Sequence, residues 1–231
     1  MTNLYNDLHD LFNSERRFHF PFDDDIELIP RNGIYIIFET GEQYMNWDRI
    51  VRVGTHTGDN QLRSRLKQHF IKENKNRSIF RKNIGRCLLN KDNHPYLSHW
   101  DLDSTSKEDK MKNWHLIDKT FEQGLEKRIS QYIQENLSFT VFEVTTKDQR
   151  LFWESRIIST LATFPNIQSS DNWLGQFSPK DKIRQYGLWQ VNELLNQPLN
   201  ETEFIALTEL IKKHDAATLY KRKYRWQNAY E

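Results

Sequence analysis

Two apolar runs constrain this chain more than any other feature. Arg31-Asn32-Gly33 is a turn signal, and Ile34-Tyr35-Ile36-Ile37-Phe38 follows it at once. An uninterrupted β-branched and aromatic run of this length is typical of a buried strand. Arg49-Ile50-Val51-Arg52-Val53-Gly54 is a second such run. The polar stretch from Gly41 to Asp48 between them is predicted as a hairpin loop, which makes the two strands antiparallel neighbours. Ser138 to Val144 alternates like a third strand.

The remaining pattern is helical. Residues 1 to about 15 read as a short helix, and Leu62, Leu66 and Phe70 recur at helical spacing, with Arg63 and Lys67 turned elsewhere. Further helices are predicted from Ile79 towards Leu89, from Leu116 to Leu137, and from Lys147 to about Thr163. Asn90 to Trp114 is hydrophilic and reads as an insertion or exposed loop. Ser178-Pro179 signals a helix start, Gly187 a stop, and Asn200-Glu201-Thr202-Glu203 opens a C-terminal helical pair. Trp173-Leu174-Gly175 and Gly187-Leu188-Trp189 read as packing that clamps this C-terminal region onto the core. The fold class expected is α/β (α+β): a small three-stranded, mostly antiparallel sheet flanked by helices. Residues 1–30 form a helical N-terminal extension, 31–166 the core with an insertion near 90–115, and 167–231 a helical C-terminal extension.

Composition narrows the function. Cys87 is the single cysteine among 231 residues, so an intramolecular disulfide and a cysteine-based zinc site are excluded. The N-terminus lacks a signal-peptide layout and no apolar run reaches membrane-spanning length, so the cytoplasm is the default compartment. The formal charge is only +1, yet ten Lys/Arg face the single acid Glu73 between Gln61 and Lys91. Such a block suits a polyanion such as nucleic acid, or else forms a solvated helix face. Lys221, Arg222, Lys223 and Arg225 make a second, weaker basic patch.

Gly33-Ile34-Tyr35 at a strand start, a hairpin to a strand ending in Gly54, and then a basic helix resembles the opening of a GIY-YIG nuclease domain. The second signature triplet stands here as Arg52-Val53-Gly54, without its tyrosine. Arg65-Leu66-Lys67-Gln68-His69-Phe70 is similar to the family helix. Glu154-Ser155-Arg156-Ile157-Ile158 fits the family's glutamate, and Pro165-Asn166 its closing Pro and Asn. The resemblance covers about 135 residues, with a long insertion between Arg65 and Glu154.

The resemblance implies a metal-dependent DNA endonuclease using Mg²⁺ or Mn²⁺, with Glu154 as the metal ligand. A hard cation keeps most of its waters, so one carboxylate can anchor it. Arg65 would meet the scissile phosphate, a task suited to a planar, permanent cation. Tyr35 would position or deprotonate the attacking water, or else is a core aromatic. His56 is the nearest side chain that could fill the place of the missing tyrosine. Asn166 would tie the closing loop to the site, with Asn172 competing for that role. Arg63, Lys67, His69, Arg77, Arg81, Lys82 and Arg86 are the expected DNA contacts. RNA stays open beside DNA, no membrane is involved, and a homodimer would suit the cutting of both strands. The alternative is a nucleic-acid-binding module on the same fold that has lost catalysis.

Overall fold

The computed structural model describes residues 3–163 and 169–227 of the chain, with side chains described to His214. Its elements run α1 (Leu4–Ser14), β1 (Phe18–His19), β2 (Gly33–Tyr44), β3 (Trp47–Gly54), α2 (Leu62–Phe70), α3 (Ile79–Lys91), α4 (Leu97–Trp100), α5 (Lys107–Asn113), α6 (Lys119–Asn136), β4 (Leu137–Glu143), α7 (Lys147–Leu161), α8 (Asp181–Tyr186) and α9 (Glu201–Gln227). The strands form one antiparallel sheet of order β1-β4-β2-β3.

β2 lies between two partners, and both its faces are covered, so its sequence is apolar without alternation. Tyr35, Ile37 and Val51 face one core, built with Leu66 and Phe70 of α2, Phe80 of α3 and Ile129 of α6. Ile34, Ile36, Phe38 and Val53 face a second core, completed by Leu8 and Phe12 of α1, Ile157 and Ile158 of α7 and Leu207 of α9. The register shifts between Ile37 and Phe38, whose partners are Arg52 and Ile50. Val51 is the extra residue, and this bulge places Val51 and Arg52 against the Tyr35 side of the sheet.

Several expectations are corrected. The sheet has a fourth strand, β1, too short to show a period and held by stacking of Phe18 on Phe139 at 5.4 Å. The predicted hairpin loop is mostly strand: β2 continues to Tyr44 and β3 begins at Trp47. Of its polar residues Gln43, Asn46 and Asp48 are exposed, but Glu42 is buried, bound to Arg49 and to Ser170. The segment read as an exposed insertion contains α4 and α5, and its Trp100 is fully buried against α3. Gly85 makes that contact possible, because a Cβ there would lie 2.5 Å from the Trp100 ring. α8 starts at Asp181, two residues beyond the predicted Pro179. The expected C-terminal pair is one helix, α9, opened by a reciprocal bond: Glu203 N donates to Asn200 Oδ1 at 2.9 Å and Asn200 N to Glu203 Oε2 at 3.0 Å.

Both terminal regions share these cores. His9 accepts a bond from Ile50 N at 3.2 Å, fixing α1 to β3. Trp189 N donates to Val51 O at 2.8 Å, and Val53 N to Gln190 Oε1 at 2.9 Å. The C-terminal segment thereby covers the open edge of β3, a surface that would otherwise invite pairing with another chain. Trp173 and Trp189 both donate to Glu39 Oε2 at 2.9 Å, which seats them in the Tyr35-side core. Among the described residues no helix is long and apolar enough to cross a membrane.

Candidate active site

Tyr35 and Gly54 stand opposite each other in the β2–β3 ladder. A Cβ on residue 54 would sit 2.2 Å from the Tyr35 hydroxyl oxygen, so the glycine of the second triplet is the space the phenol occupies. The Tyr35 hydroxyl meets His69 Nε2 at 2.8 Å, and His69 Nδ1 meets Ser78 Oγ at 2.8 Å. Ser78 also caps α3, accepting from Arg81 N at 3.2 Å. Burial pushes the His69 imidazole well below its usual range, and the charges of Arg65, Arg52 and Arg81 add to that, so the ring is neutral. With its proton on Nδ1, the ring accepts the phenolic hydrogen at Nε2. The signature tyrosine, the α2 histidine and the α3 cap therefore form one buried chain, Tyr35–His69–Ser78.

Glu154 projects from α7 towards the loop after β3, where Oε1 accepts from Thr55 N at 3.0 Å. Its pKa is pushed up to about 7, by burial first, with Arg52, the Thr55 amide and Arg65 pulling it back down. A carboxylate so incompletely compensated is a common mark of a functional group. One turn earlier, Arg150 is fully buried and donates to Thr145 O at 2.6 Å and to His56 O at 3.3 Å. It ties α7 to the loop that Glu154 touches. Nothing in the sequence marked it except its place one turn from Glu154.

Beside this carboxylate lies a cleft of about 470 Å³ lined by Thr55, His56, Thr57, Gln61, Ser64, Arg65, Gln68 and Arg77. Arg65 is half-buried; its Nη1 donates to Gln68 Oε1 at 3.1 Å and to Arg77 O at 2.9 Å. It has no carboxylate partner within 4 Å among the described residues. Arg63 is different. It donates to Ile29 O at 2.7 Å and to Glu27 Oε1 at 2.8 Å, away from the cleft.

His56 does not suit the role of a base. Its Nε2 accepts from Gly33 N at 3.2 Å, and its Nδ1 meets Gly58 O at 2.6 Å. Both ring nitrogens are engaged by backbone, and burial lowers the pKa further, so no nitrogen remains to take a proton. The residue holds its loop in shape.

The expected DNA contacts divide sharply. Arg81 is fully buried, bound to Glu126 at 2.7 Å and to His69 O at 3.0 Å, and cannot reach a phosphate. His69 is equally buried and serves Tyr35 instead. Arg86 is buried against Asp101 and Asn83. Lys67 pairs with Asp23 at 3.2 Å. Lys82 is half-buried, and desolvation holds its ammonium below the usual range, with Lys75 the next cause. Arg77 is exposed and lines the cleft. Asn166 and Pro165 lie outside the described residues, and Asn172 is exposed. Among the described residues, no three His, Cys, Asp or Glu side chains cluster as a metal cage.

A half-buried carboxylate behind a cationic cleft, on a small antiparallel sheet wrapped in helices, defines an α+β domain suited to a polyanionic substrate. Comparison with known families agrees: a model of the GIY-YIG domain matches residues 1–217, and the chain belongs to that family. A domain of this family implies nuclease-type function in general. The match includes both terminal regions. No curated protein and no solved structure matches the chain.

Proposed function

We propose that this protein is a metal-dependent endonuclease that hydrolyses phosphodiester bonds in DNA. The observation that carries the reading is the Glu154 carboxylate, raised in pKa by burial and set beside the cleft of Arg65 and Arg77. The donor set fits a hard divalent cation. Glu154 Oε1 takes one backbone amide, no side chain among the described residues donates to either oxygen, and Mg²⁺ or Mn²⁺ needs only one or two carboxylates with water completing its shell. When bound, the cation would supply charge for the phosphoryl oxygens and the leaving oxygen.

The chain's own residues do the rest. Arg65 binds the scissile phosphate and faces the charge that builds on it. The water oxygen bonds to phosphorus as the bond to the leaving oxygen breaks. Tyr35 orients that water through its hydroxyl oxygen, its own hydrogen held by the neutral His69 Nε2; the water's proton passes to solvent, and the leaving oxygen takes a proton from solvent to end as a hydroxyl. Tyr35 has no exposed surface in the free protein, so its hydroxyl must be uncovered when substrate seats. DNA is the substrate favoured, with a homodimer delivering two cuts. The catalytically silent binding module is the second reading, favoured by Arg52 in place of a signature tyrosine.

Cleavage of supercoiled plasmid with Mg²⁺ or Mn²⁺ by wild type and Glu154→Gln, with DNA binding followed in parallel, separates these readings. Expected is metal-dependent cutting that falls at least about 100-fold in the variant while binding persists. Binding without cutting by either protein would establish the silent module.

A further inference from the structure

Arg52 is the departure from the family signature, and its surroundings are not those of a lost residue. The β-bulge at Val51 turns its side chain to the Tyr35 side of the sheet, opposite Ile37. The guanidinium lies 4.9 Å from the centre of the Phe80 ring, and Phe80 packs edge-on against His69 at 5.5 Å. Nη1 donates to Trp189 O, and the C-terminal segment thereby fixes the side chain. Only 7% of Arg52 is exposed, yet it has no carboxylate within 4 Å among the described residues, and its buried Nε has no hydrogen-bond partner.

A buried cation without a bonded counter-ion is costly, and chains normally pair it or lose it. This chain does pair its other deeply buried arginines, Arg49 with Glu42, Arg81 with Glu126 and, at 3.7 Å, Arg150 with Asp59. Arg52 is left open in the layer that contains Tyr35 and His69. We propose that Arg52 is a fixed buried cation of the active site, poised for the phosphate that enters the cleft and for the negative charge that gathers on it as the bond breaks. It takes the signature tyrosine's place with a different contribution: the tyrosine offers a neutral hydroxyl, whereas Arg52 offers permanent charge. The inference rests on the endonuclease reading for its kinetic arm and stands apart from it in its binding arm.

Both arms use the full chain as wild type, Arg52→Lys, Arg52→Met and Arg52→Tyr, each checked for cooperative melting. The first is single-turnover plasmid cleavage over a range of DNA concentrations. Arg52→Met is expected to lower the rate constant by about 100-fold with little change in half-saturating DNA, because the charge acts where negative charge develops. Arg52→Lys keeps most of the rate, and Arg52→Tyr behaves like Arg52→Met. A purely structural role would instead lower melting temperature and leave the rate of the folded fraction alone. The second arm is metal-free stabilisation by inorganic phosphate, expected to require about tenfold more phosphate in Arg52→Met and Arg52→Tyr than in wild type or Arg52→Lys.

Equal rates and equal phosphate response in wild type and Arg52→Met would overturn the proposal. So would faster cutting by Arg52→Tyr, which would make arginine a defect. If wild type cuts nothing, the endonuclease reading falls and the phosphate arm alone decides for or against Arg52. Should Arg52→Met not fold, the contrast between Arg52→Lys and Arg52→Tyr decides in the same way.

Discussion

At the turn end of the β2–β3 hairpin, Glu42 and Arg49 face each other out of water, and Ser170 N and Gly187 O complete them. Glu39 nearby takes bonds from Tyr132, Trp173 and Trp189. At the other end of the same two strands, among the described residues, Arg52 lacks a carboxylate partner and Glu154 holds a single backbone amide. Both ends bury charge on one scaffold. At the turn end Glu42 and Arg49 pair with each other and the C-terminal segment completes them, so the result is a joint. At the open end the charges stay incompletely matched, and the result is a binding site. Pairing, more than charge or burial alone, separates structure from function here.

The strongest way to break this comparison is at the joint. Glu42→Gln removes one charge and strands Arg49, which is 1% exposed, so unfolding free energy should fall by about 3–5 kcal/mol in chemical denaturation. Replacing both, Glu42→Gln with Arg49→Met, should cost less than the single change. Cleavage per folded molecule should not move in either. A double variant worse than the single would mean that the pair is not a self-contained joint.

A smaller effect is expected from His9, on the far face of the same hairpin. Burial, then the Arg49 charge, lowers its pKa from 6.5 to about 4, against a backbone bond to Tyr5 that raises it. The folded chain keeps this ring neutral at pH values where the unfolded chain protonates it. Its contribution to stability is therefore complete above about pH 6.5 and is lost as pH falls towards 4, reaching about 2 kcal/mol by pH 5. His9→Gln keeps an acceptor for Ile50 N and cannot titrate. Denaturation from pH 7 to 5 should show a shallower loss in the variant; identical slopes would remove His9 from the account.

What could be read in the sequence follows the range of each interaction. The Ile34–Phe38 strand, the α2 face and the α7 turn bearing Glu154 rest on local periodicity, and they stand where the residues predicted them. Gly33-Ile34-Tyr35 announced the family because it packs against its own neighbours. The β2–β3 turn misled, since burial of Glu42 and Arg49 depends on residues near 170 and 187. Trp100 hid in a hydrophilic stretch for the same reason: its partner surface is Gly85 on another helix. The engagement of both His56 nitrogens was equally invisible, because Gly33 lies 23 positions away. The basic block showed its charge in the sequence but not its partners at 23, 27, 101 and 126.

That last division gives the smallest expected effect. Arg77 is exposed at the cleft, while Arg86 is buried against Asp101 and Asn83. Each phosphate contact releases counterions, so binding to a plain DNA duplex should weaken linearly in log salt, with a slope set by the number of contacts. Arg77→Ala should reduce that slope by about one in metal-free buffer and leave melting unchanged. Arg86→Ala should do the reverse, lowering the melting temperature while the slope stays as in wild type. If Arg86→Ala flattened the slope as much as Arg77→Ala, buried and paired arginines would be meeting DNA after all. The line drawn here between joint and site would then have to follow the field of the whole basic block rather than the pairing of single residues.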